Sequence, residues 1–268
     1  MAKTAPAPAG EPVALAGGSA HARVRVIDLE TAGHGPTDVC EIGWQDVVLG
    51  CDGRWKVCEA ARGSLFVNPG RPISPDTMAV HHILDEWVAS AGFWKDVAPA
   101  ILRPQPAVLA LAAHRAAFEQ RFCTPSLSGG ADWICTWKCA LRLWPHLTRF
   151  SNQMLRYQRR PQGLVHALGL PAHRALPDAY VTAHHLRDML DEVSLETLLD
   201  WSREPGLLPR VPAGPDRGKA WDAITDTALD LLTRDRDADV RFTAGREQER
   251  RHGKSVESPT LPVQATLL

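Results

Sequence analysis

No apolar run in the 268-residue chain approaches the roughly 20 residues that a membrane-spanning helix needs, so no membrane association is expected. Charge of one sign is also missing: 30 Lys and Arg stand against 31 Asp and Glu, a formal net charge of −1. That balance excludes a uniformly basic, histone-like binder. It leaves room for local basic patches that could contact nucleic acid. The six cysteines, Cys40, Cys51, Cys58, Cys123, Cys135 and Cys139, form no Cys-x-x-Cys pair. They read as reduced, mostly structural thiols rather than a zinc site or a disulfide framework. The opening stretch MAKTAPAPAGEPVALAGGSA lacks the apolar segment of a secretory signal. Its Ala, Pro and Gly read as a disordered lead-in over residues 1–22, and a cytoplasmic location is expected by elimination. No internal repeat is visible.

What is present is apolar material for a sizeable core, 44% of the residues, in a length that suits one large domain with a small module. The pattern predicts strands at Val24–Ile27, at VCEIGWQDVVL (Val39–Leu49) and at GSLFVN (Gly63–Asn68), with turn-rich CDGRWKVCEAARG between the last two. Helices are expected at DTMAVHHILDEWVAS and FWKDVAPAILR. A buried strand at PAVLALAAH and a helical AAFEQRF follow, then a strand at ADWICT and a helix at WKCALRLWP. LPDAYVTAHHLRDMLDEV carries the longest helix signal, with Pro177 suited to its first turn. Strands that come first and then alternate with helices imply an α/β or α+β sheet with helices on its faces. Near Ser202 the texture becomes Pro/Gly-rich, and Ala220–Asp235 then reads as one amphipathic helix. The expected division is 23–202 for the main domain, 203–243 for a small C-terminal module and 244–268 for a disordered tail.

The stretch RVRVIDLETAG places Asp28 and Glu30 two apart at the end of an apolar strand. Side chains alternate along a strand, so these two carboxylates share a face while Leu29 takes the other. Such a pair, if buried, needs a cation or must take up a proton, and hard oxygen ligands suit magnesium or manganese. An isolated acidic pair equally fits a solvated strand end. Downstream, AAHRAAFEQRF carries His114 and Glu119 just after a buried strand, and HRALPD carries His173 and Asp178 at a helix start. Singly each is unremarkable: a surface histidine, a helix-start acid favoured by the dipole, a solvated glutamate. In order, Asp28, Glu30, Glu119, His173 and Asp178 supply four carboxylates and one histidine.

That order resembles the DEDDh-type 3′–5′ exonucleases, the superfamily of the polymerase proofreading subunits. VIDLETAG is similar to their first motif, HRAAFE to their second and His173-x4-Asp178 to their third. The likeness is strongest to the bacterial exodeoxyribonuclease X group and runs from about Val24 to Leu190, more weakly into GPDRGKAWDAI. It implies a ribonuclease H-like mixed sheet flanked by helices. It further implies a 3′–5′ exodeoxyribonuclease of DNA repair or recombination that uses two Mg²⁺ or Mn²⁺ ions per site and releases nucleoside 5′-monophosphates. By the same resemblance Asp28 would bridge the two ions, Glu30 and Asp178 would complete one site, and Glu119 would serve the other. His173 would take a proton from the attacking water, the general-base task for which histidine is the commonest side chain. Thr31, His114, Arg115 and Phe118 would lie by the substrate end, and Arg217 and Lys219 would contact phosphate.

The chain departs from the pattern at two positions of the second motif: Glu119 stands where Asp is usual and Arg115 where Asn is usual. Arg115 there could contact phosphate or reshape the 3′-end pocket. In the module, Ala213-Gly214-Pro215 precedes DRGK where relatives carry an aromatic residue and a lysine. Between residues 137 and 160, the six cations Lys138, Arg142, Arg149, Arg156, Arg159 and Arg160 alternate with Trp137, Trp144, Phe150 and Tyr157, the interleaving of a nucleic-acid groove, although the tryptophans fit apolar helix positions. The pairs His81-His82 and His184-His185 cannot share a zinc ion, because neighbouring helix residues point apart. The terminal Gln264–Leu268, QATLL, is similar to the short peptides that dock on the sliding clamp. Two rival readings remain: an exoribonuclease of the same superfamily, and a nucleic-acid- or clamp-binding protein weakened at Glu119 and Arg115.

Overall fold

The computed structural model describes residues 22–253. Its centre is strand β1 (Arg23–Thr31), whose alternation sorts two cores. Val24 and Val26 face one side and join Ala110, Ala112, Ile134, Ala179, Ala183, Leu186 and Met189. Ile27 and Leu29 face the other and join Ile42, Trp44, Trp94, Ala98, Ile101, Leu102 and Phe122. The strands β2 (Val39–Leu49), β3 (Trp55–Phe66), β4 (Ala110–Ala113) and β5 (Trp133–Cys135) complete a sheet of order β3-β2-β1-β4-β5. The β3-β2-β1 half is antiparallel, and β1-β4-β5 runs parallel. This is the mixed sheet that the family resemblance implied, with helices on its faces as the element order implied.

Helices α1 (Pro75–His81), α2 (Asp85–Val88) and α3 (Trp94–Leu102) follow β3, and α4 (Pro125–Ser128) precedes β5. After β5 come α5 (Thr136–Leu143), α6 (Asn152–Arg159), α7 (Ala175–Glu192) and α8 (Leu195–Arg203). The chain then forms α9 (Asp226–Leu232) and α10 (Ala238–Arg251). Helix α7 lies across β1, β2 and β3, while α3 covers the opposite face.

Several boundaries differ from expectation for local reasons. β3 begins at Trp55, eight residues before Gly63, because the turn is confined to Gly50–Arg54 and closed by the Gly50–Arg54 backbone bond. The expected helix DTMAVHHILDEWVAS is broken at His82, which takes a left-handed conformation (φ 60°). The Ile83 N–H then bonds His81 Nδ1 at 3.0 Å, which buries Ile83. AAFEQRF supplies only a single 3₁₀ turn, Glu119–Arg121. The expected helix over Ala220–Asp235 is interrupted at Thr225, whose side chain caps α9 by accepting the Ala228 N–H. Helix α10 continues past residue 244, where a disordered tail was expected. Its charges neutralise one another, Glu247 pairing with Arg250 and Arg251, while Ala244 packs with Val211, Trp221, Ile224, Leu229 and Val240.

Polar residues also enter β1 where only apolar burial was expected. Arg25 is 7% exposed. It donates to both Asp46 oxygens, at 2.7 and 3.0 Å, and to the Ile101 carbonyl. No helix of the described residues is long and apolar enough to cross a membrane.

Candidate metal centre

Asp28 and Glu30 continue the face of β1 that Val24 and Val26 begin, where the first turn of α7 passes over the sheet. Asp178 sits in that turn. Ligand oxygens of Asp28, Glu30 and Asp178 lie within 4.8 Å of one another. The close approach depends on Gly43, the β2 residue opposite Asp28. A Cβ there would overlap the Ala175 carbonyl carbon and the Leu176 nitrogen, so glycine lets α7 sit on the sheet. A register irregularity after Glu30 then ends the regular pairing of β1.

Three donors hold the Asp178 carboxylate: Gln153 Nε2 at 2.7 Å, Asn152 Nδ2 at 3.3 Å and the His173 backbone N–H at 2.6 Å. His173 itself is exposed and adopts φ 60°, a left-handed conformation that bulky residues rarely take. Its backbone N–H ties it to the carboxylate group. Glu119, 3% exposed, comes from the 3₁₀ turn that packs against β1. It lies outside the tight trio, near enough to repel Asp28 and Glu30, and its Oε2 has no hydrogen-bond partner among the described residues.

The electrostatics follow from burial. Desolvation, then repulsion from Asp178, Glu30 and Glu119, holds the Asp28 carboxyl well above the usual range. Glu30 is pushed up to about 8 by burial and by Glu41, and Glu119 to about 8, mainly by burial. Without a cation, carboxylates placed this way retain protons. A set of all-oxygen donors with an orphaned buried oxygen fits hard divalent ions such as magnesium or manganese.

Sequence reasoning missed the residues that make this arrangement tolerable. Glu41 on β2 lies directly opposite Glu30, a destabilising pairing of like charges. Arg174 offsets it with a bidentate pair at 3.0 and 2.7 Å, and the Ala175 N–H adds a third bond to Glu41. An acid inside the apolar VCEIGW, and an arginine beside His173, were the available signals. Arg156, 3% exposed, donates to the Gly169 and His166 carbonyls and to Gln153 Oε1, joining the loop before His173 to the Asp178 donors.

The other expected site residues are placed as follows. Thr31 is buried, and its carbonyl bonds His81 Nε2. Both ring nitrogens of His114 are engaged, with Thr136 Oγ1 at 3.0 Å and the Phe150 carbonyl at 2.8 Å, and burial lowers its pKa to about 4. Phe118 packs on Phe122, with ring centroids 5.3 Å apart. Arg115 turns to Trp137, its guanidinium 4.2 Å from the ring centroid. Lys219 pairs with Asp216 at 2.7 Å, while Arg217 is exposed. Of the basic stretch, Lys138, Arg142, Arg156 and Arg159 make internal bonds, and Trp137 and Trp144 are buried. Gln264–Leu268 lies outside the described residues.

No family model matches the chain. Exodeoxyribonuclease 10 of Escherichia coli strain K12 is 37% identical over 207 residues, which cover 76% of this chain and 85% of that protein. The protein of the same name from Escherichia coli O6:H1 is equally similar. Among solved structures, exonuclease X in complex with 5′ overhanging duplex DNA superposes with a TM-score of 0.52 at 33% identity, covering 67% of this chain and 99% of that one.

Proposed function

This chain belongs to the exodeoxyribonuclease X family of DEDD exonucleases, and from that membership we propose that it is a metal-dependent 3′–5′ exodeoxyribonuclease serving DNA repair or recombination. The observation that carries the reading is the trio Asp28, Glu30 and Asp178, with the unpartnered Glu119 oxygen beside it. Asp28 would be shared between two ions, Mg²⁺ or Mn²⁺, with Glu30 and Asp178 completing one site and Glu119 the other. Bound there, the ions would supply Lewis-acid activation of water and neutralise charge gathering on the phosphate.

The remaining work falls to the chain's own groups. His173, exposed and bonded through its backbone to Asp178, accepts the proton of the attacking water. Its backbone bond to Asp178 holds the main chain of His173 beside that carboxylate. Gln153 and Asn152 orient Asp178, and Arg174 keeps Glu41 from adding another uncompensated charge beside Glu30. The leaving group is the 3′ oxygen of the penultimate nucleotide, so the product is a nucleoside 5′-monophosphate. The His114 ring, bonded on both sides, shapes the loop that carries Arg115. Thr31 and Phe118 border the substrate end. The tail Gln264–Leu268 as a clamp-docking peptide is supported by sequence alone.

End-labelled single- and double-stranded DNA, incubated with magnesium, manganese or chelator, tests the reading. Mononucleotides are expected only with a divalent ion, and Asp28→Ala should lower turnover by about 10³-fold or more. Wild-type turnover in that variant would refute the site. Matched RNA oligomers run in parallel separate DNA from RNA preference.

A further inference from the structure

A second charged feature lies outside the carboxylate cluster. Arg115, Arg149, Arg210 and Arg217 line one cleft of about 390 Å³ together with Trp137, Phe150 and Ser151, and no Asp or Glu lines it. Among the described residues none of these four arginines forms an ion pair. In a chain of net charge −1, four uncompensated guanidinium groups around one concavity form a local anion site.

The cleft has two walls. One comes from the main domain, where Trp137 lies under the Arg115 guanidinium at 4.2 Å and leaves its N–H edges open. The other comes from the C-terminal segment. There the Val211 N–H bonds the Lys219 carbonyl at 3.0 Å, and the Gly218 N–H bonds the Val211 carbonyl at 2.8 Å, closing a turn. Arg210 and Arg217 flank that turn, and buried Val211 and Trp221 anchor it. Lys219 occupies Asp216, so the acid beside Arg217 is already neutralised.

The cleft is also linked to the metal centre through bonded neighbours. Phe150 lines it and accepts the His114 hydrogen bond, and Ser151 lines it and precedes Asn152, which donates to Asp178. A single small anion would engage one or two guanidinium forks. Arginines on both walls and an aromatic ring suit a polymeric anion.

We propose that this cleft grips the phosphodiester backbone of the nucleic acid whose 3′ end lies at the carboxylates, making the C-terminal segment a second substrate contact. The proposal rests on the exonuclease reading above and adds Arg149 and Arg210, which that reading does not use.

The test uses the full chain and the double variant R210A/R217A. Fluorescence anisotropy with a long labelled duplex bearing a 5′ overhang, in chelator, gives affinity against salt concentration. Turnover with magnesium is compared on that duplex and on a trinucleotide too short to span the cleft. The expected result is affinity weakened about tenfold and a log–log salt slope shallower by about 2, since each lost phosphate contact removes about 0.9. KM on the long duplex should rise more than on the trinucleotide. R210K/R217K, which keeps both charges, should restore most of the slope. An unchanged slope overturns the proposal. So does an equal loss on both substrates that the lysine variant fails to rescue, because that pattern marks a structural role. If wild-type protein releases no mononucleotides yet the salt slope falls in the variant, the exonuclease reading fails and the cleft stands. If wild-type protein digests DNA and the slope does not move, the cleft alone fails.

Discussion

Glu119 is almost fully buried, and one of its oxygens has no partner among the described residues. A buried group in that condition stores destabilisation that a bound cation relieves. Glu119→Gln keeps the shape and deletes the charge. It should therefore raise the melting temperature of the metal-free protein near pH 8 while lowering exonuclease turnover by about 10²-fold or more. Thermal melts in chelator and turnover with magnesium check both signs, and a fall in both would contradict the assignment. At this scale the sequence was legible where one strand decides the geometry. Asp28 and Glu30 share a face by alternation alone. Glu119 and Asp178 became legible only by likeness to a motif, since no local pattern brings residues so distant in sequence to the same carboxylates. Glu41 with Arg174, and Asn152 with Gln153, were illegible because each pair depends on register or on a tertiary contact.

The elements were read best where burial is two-sided. β2 emerges with the expected bounds, and α7 starts at the expected turn, because their apolar runs are long. Edge strand β3 was cut short because its half-exposed residues dilute the alternation. The helices around His82 and Thr225 were run together because a left-handed residue and a cap leave the apolar count unchanged. Gly43 shows how one element positions another. Gly43→Ala should force α7 away from β2, costing about 1–3 kcal/mol of stability by overpacking. It should also lower turnover by about 10²-fold, because Asp178 would move with the helix. Circular dichroism melts and turnover measure the two effects. A stable variant with full activity would show that α7 does not rest on this contact.

For the whole molecule, buried acids and buried histidines oppose each other in pH. Glu30 and Glu119 titrate near 8 in the folded chain, and Asp28 is raised as well, so on acidification the folded state takes up protons before the unfolded state does. Stability in chelator should therefore climb as pH falls from about 8. Burial lowers His114 and His184 to about 4 and His185 to about 3, so below the ordinary histidine value near 6.5 the unfolded state gains protons that the folded state refuses. The two effects offset each other down to about pH 4.5, below which the histidines act alone and stability falls. The expected curve has a broad maximum between about pH 5 and 6.5, and divalent ions should flatten its alkaline limb by holding the acids ionised. Melting temperatures against pH, with and without magnesium, test this, and a metal-free maximum at pH 8 would overturn it. A different consequence follows from β1, which buries Arg23 and Arg25 on one face near its start and presents Asp28 and Glu30 on the other near its end. If β1 mispaired by one residue during folding, Arg25 would turn toward α7 without Asp46, and the acids would turn into the apolar layer under α3. Each error strands a charge away from water. The residues that prepare this strand for ions thus also penalise its misalignment.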